Sequence, residues 1–212
     1  MIDYKATTTA AALVTGVEAG TLESLRGELV RKSLHMLIAF VPSIATVSGA
    51  LPALAILGMG VLFYTGAEYA RLHGRSIVLV SAVTVMASRP RDRGRFVAGP
   101  VTLGIGAMLA LLLYPAPAAF LAIYALAFGD GIASLVGRAF GRVQIVPGTS
   151  FEGSLACYVA VFTAGLAVTG ELETAFVVAA VATVLEAVPS DDLDNIIMPV
   201  GVGLVATLLL GA

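Results

Sequence analysis

LPALAILGMGVLFYTGAEYARLHGR, residues 51–75, decides what kind of fold this chain has. From Leu51 to Ala67 no residue is charged, and then Glu68, Arg71, His73 and Arg75 arrive together. A bilayer span needs about 20 largely apolar residues, and a charge at its centre costs at least about 2.5–3.5 kcal/mol. Residues 51–70 therefore read as a membrane helix whose polar end marks a membrane face. The pattern recurs along the whole chain. Of its 212 residues 58% are hydrophobic and 12% charged, with mean hydropathy +0.98, whereas soluble domains carry about 25% charged residues. The expected fold class is all-α, a polytopic integral membrane protein with about 7 transmembrane helices, at residues 33–48, 51–70, 97–114, 116–136, 154–169, 174–188 and 196–210.

The net charge of −2 hides a strong asymmetry. Ionisable residues gather in five short clusters, 26–35, 68–75, 89–95, 130–152 and 186–194, while the connections at 49–51, 114–117 and 170–173 hold no Lys or Arg. Residues 76–87, flanked by Arg71 and Arg75 before and by Arg89, Arg91, Arg93 and Arg95 after, form a helix of about 18 Å, short of a hydrocarbon core of ~30 Å. They are expected to lie in the interface or to re-enter. Every Lys and Arg then falls on one side, which the positive-inside rule makes the cytoplasmic face of the cell (inner) membrane. Residues 1–25 lack the continuous apolar core of a secretory signal and read as a cytoplasmic lead-in. Residues 26–212 read as a single membrane-embedded domain. The lone cysteine, Cys157, sits in an apolar run and offers neither a disulfide nor a metal set.

Three constellations carry chemistry. In ELVRKSLH, residues 28–35, Glu28, Arg31, Lys32 and His35 stand at i, i+3, i+4 and i+7, on one helical face. An interfacial anchor with snorkelling cations explains Glu28 and Lys32, but His35 lies a turn into an apolar span and needs a partner. In FGDGIASLVGRAFG, residues 128–141, Asp130 between Gly129 and Gly131 suits a Mg²⁺ carboxylate, since glycines let a ligand or another backbone approach. Small-residue helix packing accounts equally for Gly129, Ala133, Gly137 and Gly141. Downstream, Arg138 and Arg142 supply cations, and TSFEGS, residues 149–154, places Ser150, Gly153 and Ser154 at a helix N-terminus suited to phosphate. In EAVPSDDLDNIIMP, residues 186–199, Asp191, Asp192 and Asp194 repel one another unless a cation compensates them, with Glu186 and Asn195 at the adjoining helix ends. Carboxylates for a divalent metal, cations and a helix N-terminus for phosphates, all at one membrane face, point to phosphoryl or nucleotidyl transfer to a lipid. No Walker-type loop, protein-kinase set or HExxH motif is present. His35, Glu152 and Asp130 are the candidates for the base that deprotonates an alcohol. A transporter would place ionisable residues at mid-membrane or on both faces.

At these residues the chain resembles the CTP-dependent polyprenol kinase family, which includes dolichol kinase, phytol kinase and the yeast-type diacylglycerol kinase and borders on phosphatidate cytidylyltransferase. The shared elements are ExxRKxxH (Glu28, Arg31, Lys32, His35), GDGxAxxxGRxFG (Gly129 to Gly141), SxEGS (Ser150 to Ser154) and ExxPxxxxDN with a following proline (Glu186, Pro189, Asp194, Asn195, Pro199). The resemblance implies a membrane-bound lipid-alcohol kinase that transfers the γ-phosphate of CTP to an isoprenoid alcohol or diacylglycerol, or else a cytidylyltransferase. It implies CTP as co-substrate and Mg²⁺ or another divalent cation as cofactor. Its site residues here would be Asp130, His35, Glu152 and Lys32 for catalysis and Asp130, Asp191 and Asp194 for the metal. Nucleotide contacts would come from Arg31, Lys32, Gly129, Gly131, Arg138, Arg142, Ser150, Gly153, Ser154 and Asn195. Expected partners are the bilayer, a nucleotide and a lipid alcohol or phospholipid, and no nucleic acid. One departure stands out: Thr149 holds the lysine position of the family's K[ST]xEGS loop, so either Arg142, the first expectation, or Arg138 replaces that cation, or the donor or reaction differs from the family norm.

Cysteines introduced at Arg75, Arg91, Arg142 and Asp192 are expected to react with membrane-impermeant reagents from one side only, and one at Glu171 from the other. Labelling of position 91 from the Glu171 side would make residues 76–87 a full span and split the polar clusters between two faces.

Overall fold

A computed structural model describes residues 25–75, 77–89, 92, 94–188 and 192–211. The described chain is almost entirely helical: α1 (Leu25–Ser48), α2 (Ala50–Leu72), α3 (Val78–Ala87), α4 (Gly99–Leu113), α5 (Ala118–Phe140), α6 (Phe151–Thr169), α7 (Leu172–Glu186) and α8 (Asp194–Leu210). Four of these, α1, α2, α5 and α6, are long and apolar enough to cross a membrane. Helices α4 and α7, of 15 residues each, and α8, of 17, are shorter, so length alone does not deliver the seven crossings read from the sequence. The short helix expected at 76–87 is present as α3, of 10 residues.

Helix α5 is the hub. Its small residues Ala118, Ala119, Ala122, Ala125 and Ala127 are buried, which lets neighbouring backbones come close. On one side Ala122, Ile123 and Ala127 pack with Ile38 and Val41 of α1, Ala53 of α2 and Ala107 and Ala110 of α4. On the other, Ala118, Leu121 and Ala125 pack with Cys157 and Val161 of α6, Val178 and Ala182 of α7 and Met198 and Val202 of α8. The bulky apolar residues point outward instead: Val47, Leu51, Leu62, Phe63, Leu112 and Leu208 are all exposed. A soluble monomer rarely exposes so continuous an apolar surface, whereas hydrocarbon tails solvate it without cost.

Two features break the regular helices. Helix α1 tightens to a 3₁₀ turn at Leu37–Phe40, and α5 widens to a π turn at Ala125–Asp130. Between α5 and α6 the chain forms a two-stranded antiparallel hairpin, β1 (Gln144–Val146) with β2 (Thr149–Ser150), turning at Gly148 with φ 91°. The all-α reading holds apart from this hairpin.

Close approach fixes the junction of α4 with α8. A Cβ added at Gly106 would lie 1.9 Å from the Asn195 carbonyl oxygen, and the neighbouring Pro199 ring leaves no room to retreat. Gly106→Ala is expected to destabilise the protein by about 1–3 kcal/mol through overpacking, read as a lowered melting midpoint in detergent. Gly60→Ala, where nothing lies within 4 Å, is expected to leave the midpoint unchanged or higher.

Candidate functional site

The ELVRKSLH face of α1 packs on α5 where the π turn ends. Glu28, Lys32 and His35 are buried, as is Asp130. Lys32 Nζ donates to Asp130 Oδ2 at 2.5 Å, and His35 Nε2 lies 3.2 Å from the same oxygen and 2.9 Å from the Leu126 carbonyl. Both neighbours of that ring nitrogen are acceptors, so Nε2 carries the hydrogen. Ser134 donates to Asp130 Oδ1 at 3.3 Å. One turn away, Glu28 is ion-paired with Arg31 and accepts from Arg138 Nε at 2.9 Å. The i, i+4, i+7 spacing thus presents Glu28, Lys32 and His35 to one helix, and α5 answers with Asp130 and, eight residues on, Arg138.

The other polar clusters converge on the same end of the bundle. Arg89 Nη1 lies 3.6 Å from Asp192 Oδ1, and Arg89 is within electrostatic range of Arg31 and Asp194. Glu186 and Asp194 are in turn within range of Asp130 and Lys32. Buried Glu68 accepts from Arg71 at 2.7 Å and from the Val97 amide at 2.9 Å, while Arg71 donates to the Arg95 carbonyl at 3.0 Å. The Glu68–Arg71 pair thus also pins the chain entering α4.

Several predicted site residues turn out to serve packing and capping. A Cβ at Gly129 would meet Val161, Met198 and Cys157, and one at Gly131 would meet Met36 at 3.1 Å, so both glycines admit neighbouring helices. Gly137 and Gly141 press on Ser150, and Gly153 on the Ala133 carbonyl. Ser150 Oγ caps α6 by accepting from Gly153 N at 3.1 Å. Glu152 accepts from the Arg142 and Val143 amides at 3.0 and 3.4 Å, closing the hairpin, and the Arg142 side chain is exposed. Of the two arginines it is Arg138, not Arg142, that joins the buried cluster. Asn195 donates to Thr102 Oγ1 at 2.9 Å and so ties α8 to α4. Ser154 is buried, with Oγ unpartnered among the described residues.

Of the metal set expected from Asp130, Asp191 and Asp194, only Asp130 and Asp194 lie among the described residues. Asp191 lies outside the described residues, Asp194 Oδ1 accepts from the Asn195 amide at 2.8 Å, and Asp130 is neutralised by Lys32. Among the described residues no three acidic, His or Cys side chains converge to hold an ion.

Beside the cluster runs an open cleft of about 640 Å³, lined by Ser33, Met36 and Phe40 of α1, Tyr124 and Phe128 of α5 and Ala164 and Val168 of α6. Its wall residue Ser33 is next in sequence to Lys32, and Met36 next to His35. Hydropathy did not reveal it, because cleft-lining and lipid-facing apolar residues read alike. No family model, curated protein or solved structure matches the chain.

Removing one partner of a buried ion pair costs about 3–5 kcal/mol, whereas replacing both by apolar groups is often neutral. Lys32→Met alone is therefore expected to lower the melting midpoint sharply, and Lys32→Met with Asp130→Leu to recover most of the loss. A double variant no more stable than the single one would mean that the pair does not hold α1 to α5.

Proposed function

We propose that the protein is a membrane-bound kinase that transfers the γ-phosphate of CTP to a lipid alcohol at the cytoplasmic face. The observation that carries this reading is the buried Lys32–Asp130–His35 cluster between α1 and α5, whose neighbours in sequence Ser33 and Met36 line an apolar cleft. A lipid alcohol has the complementary shape: a hydrocarbon chain for the cleft and one hydroxyl to deliver to the cluster. Intramembrane charges that are paired and buried mark functional sites by default. The four motifs of the resemblance meet in space at this end of the bundle, which supports the same substrate pair. The proposed topology has α1, α2 and α4–α8 crossing and α3 in the interface, so that all the basic residues face the cytoplasm.

Each residue of the cluster has a task in that reaction. Arg31 and Arg138 share Glu28 at the cluster's outer edge and meet the phosphates arriving from water, where guanidinium binds phosphate in a bidentate way. Lys32 exchanges Asp130 for the transferring phosphoryl group, and the released Asp130 stays held by His35 and Ser134. Mg²⁺ enters as part of the nucleotide substrate and supplies charge neutralisation, a mode that asks one or two carboxylates of the protein rather than a cage. Thr149 at the family's lysine position is the observation that favours a second reading, a cytidylyltransferase that forms a CDP-lipid.

Purified protein given labelled CTP, Mg²⁺ and a panel of phytol, polyprenol, diacylglycerol and phosphatidate separates these readings. CDP with a phosphorylated alcohol supports the kinase, pyrophosphate with a CDP-lipid supports the alternative, and neither product from any acceptor rejects both. Asp130→Asn is expected to reduce turnover by at least about 100-fold, and Arg138→Ala to reduce it more than Arg142→Ala. Full activity of Arg138→Ala would remove that guanidinium from the phosphate path.

A further inference from the structure

Helices α6 and α7 run antiparallel from the turn at Gly170, and their register can be read from two contacts. A Cβ at Gly165 would lie 3.0 Å from Ala175 Cα, and the Cys157 thiol lies against the Thr183 hydroxyl. Each step back along α6 is matched by an equal step forward along α7. One further turn places Ser154 opposite Glu186. Ser154 is 7% exposed, and Ser154 Oγ and Glu186 Oε2 are both buried without a hydrogen-bond partner among the described residues. A buried polar atom left unpaired bears its full desolvation penalty, so each such atom calls for an explanation.

The location supplies one. Glu186 is within electrostatic range of Asp130 and Lys32, and Cys157, one turn from Ser154, is within range of both Glu186 and Asp130. Ser154 also begins the stripe of α6 that continues through Cys157 and Val161 to Ala164 and Val168, the last two lining the apolar cleft. The pair therefore lies beside the polar cluster, with Cys157 and Val161 buried between it and the part of α6 that lines the cleft. Two oxygens are too few for a divalent ion, which wants about six ligands, but a hydroxyl group is satisfied by one acceptor and one donor.

We propose that Ser154 and Glu186 form the binding site for the hydroxyl group of the acceptor alcohol, with Ser154 donating to its oxygen and Glu186 accepting its hydrogen. This rests on the lipid-alcohol kinase reading and adds the acceptor half of the site. In the transfer step the alcohol oxygen bonds to the γ-phosphorus and the bond from that phosphorus to the β–γ bridging oxygen breaks. The alcohol proton passes to the Glu186 carboxylate, and CDP leaves with the electron pair. Ser154 thereby belongs to the acceptor rather than to the nucleotide.

The test compares binding of phytanol with that of phytane, which differs only by lacking the hydroxyl, to the full-length protein in nanodiscs. The parent protein is expected to prefer phytanol by about tenfold, the worth of one or two hydrogen bonds. Ser154→Ala and Glu186→Gln are each expected to reduce the preference to about twofold while leaving phytane affinity unchanged, which also shows that the cleft is intact. Ser154→Thr, which keeps the hydroxyl, retains the preference. No preference in the parent, or an undiminished one in Ser154→Ala, overturns the proposal. So does displacement of phytanol by K⁺ or Mn²⁺ in the parent but not in Glu186→Gln, which assigns the pair to a cation. In turnover, Glu186→Gln is expected to lower kcat by at least about 100-fold with KM for CTP unchanged. If the parent phosphorylates no alcohol, the kinase reading falls, and the phytanol preference still decides the hydroxyl site by itself.

Discussion

The ion pair between Lys32 and Asp130 joins residues 98 apart in sequence, with side chains only 5% and 8% exposed, and the rest of the polar architecture is arranged around it. Neither charge is tolerable alone in an apolar interior. Together, with His35 on one carboxylate oxygen and Ser134 on the other, they are. Holding Lys32 Nζ at 2.5 Å from Asp130 fixes how far α1 can stand from α5. That separation explains the glycine at 131: Met36 would meet a Cβ there at 3.1 Å. Glu28 then falls one turn earlier, within reach of Arg138 on α5.

The apolar residues obey a rule opposite to that of a soluble core. Alanines and glycines are buried, and Leu, Phe and Val cover the outside. Between helices in hydrocarbon there is little to gain from burying large apolar groups, and close backbone approach supplies dispersion contacts and lets polar groups meet. The Gly106–Asn195 and Gly203–Tyr114 contacts are of this kind, and in each a polar link accompanies the approach: Asn195 to Thr102, and the Tyr114 hydroxyl to the Val200 carbonyl at 2.6 Å. Small residues thus serve two ends at once, and this is why the glycines of residues 129–141 invite a ligand-binding reading that their surroundings do not require.

Much of the architecture was legible because periodicity and charge placement are local. The face shared by Glu28, Lys32 and His35 follows from a 3.6-residue repeat, and Asp130 between two glycines announced a special position. All seven expected spans coincide with helices, and the short eighth one was recognised by its length. What stayed hidden depends on the third dimension. A π turn leaves no mark in hydropathy, because one extra residue in a turn changes bonding and not composition. Glu152 in an EGS motif looks like a catalytic base, and only the hairpin shows its Oε2 accepting from two backbone amides. Ser150 and Ser154 read alike in the sequence, yet Ser150 caps a helix while the buried Ser154 hydroxyl has no partner among the described residues. The resemblance implies a nucleotide contact for Asn195, while the structure shows its amide reaching across to Thr102.

The proposed chemistry gives a reason for so much internal ion pairing. A nucleotide triphosphate brings several negative charges to the edge of an apolar phase, and a site made only of free cations would repel itself before the nucleotide arrived. Here four cations each have a carboxylate beside them: Arg31 and Arg138 share Glu28, Lys32 holds Asp130, and Arg89 faces Asp192. In the proposed reaction phosphate oxygens would replace those carboxylates as partners of the cations, so that the cations stay paired when the nucleotide binds. The same exchange would be wasteful in water, where free ions are well solvated, and it is the low dielectric of the membrane boundary that makes a stored ion pair the cheaper resting state.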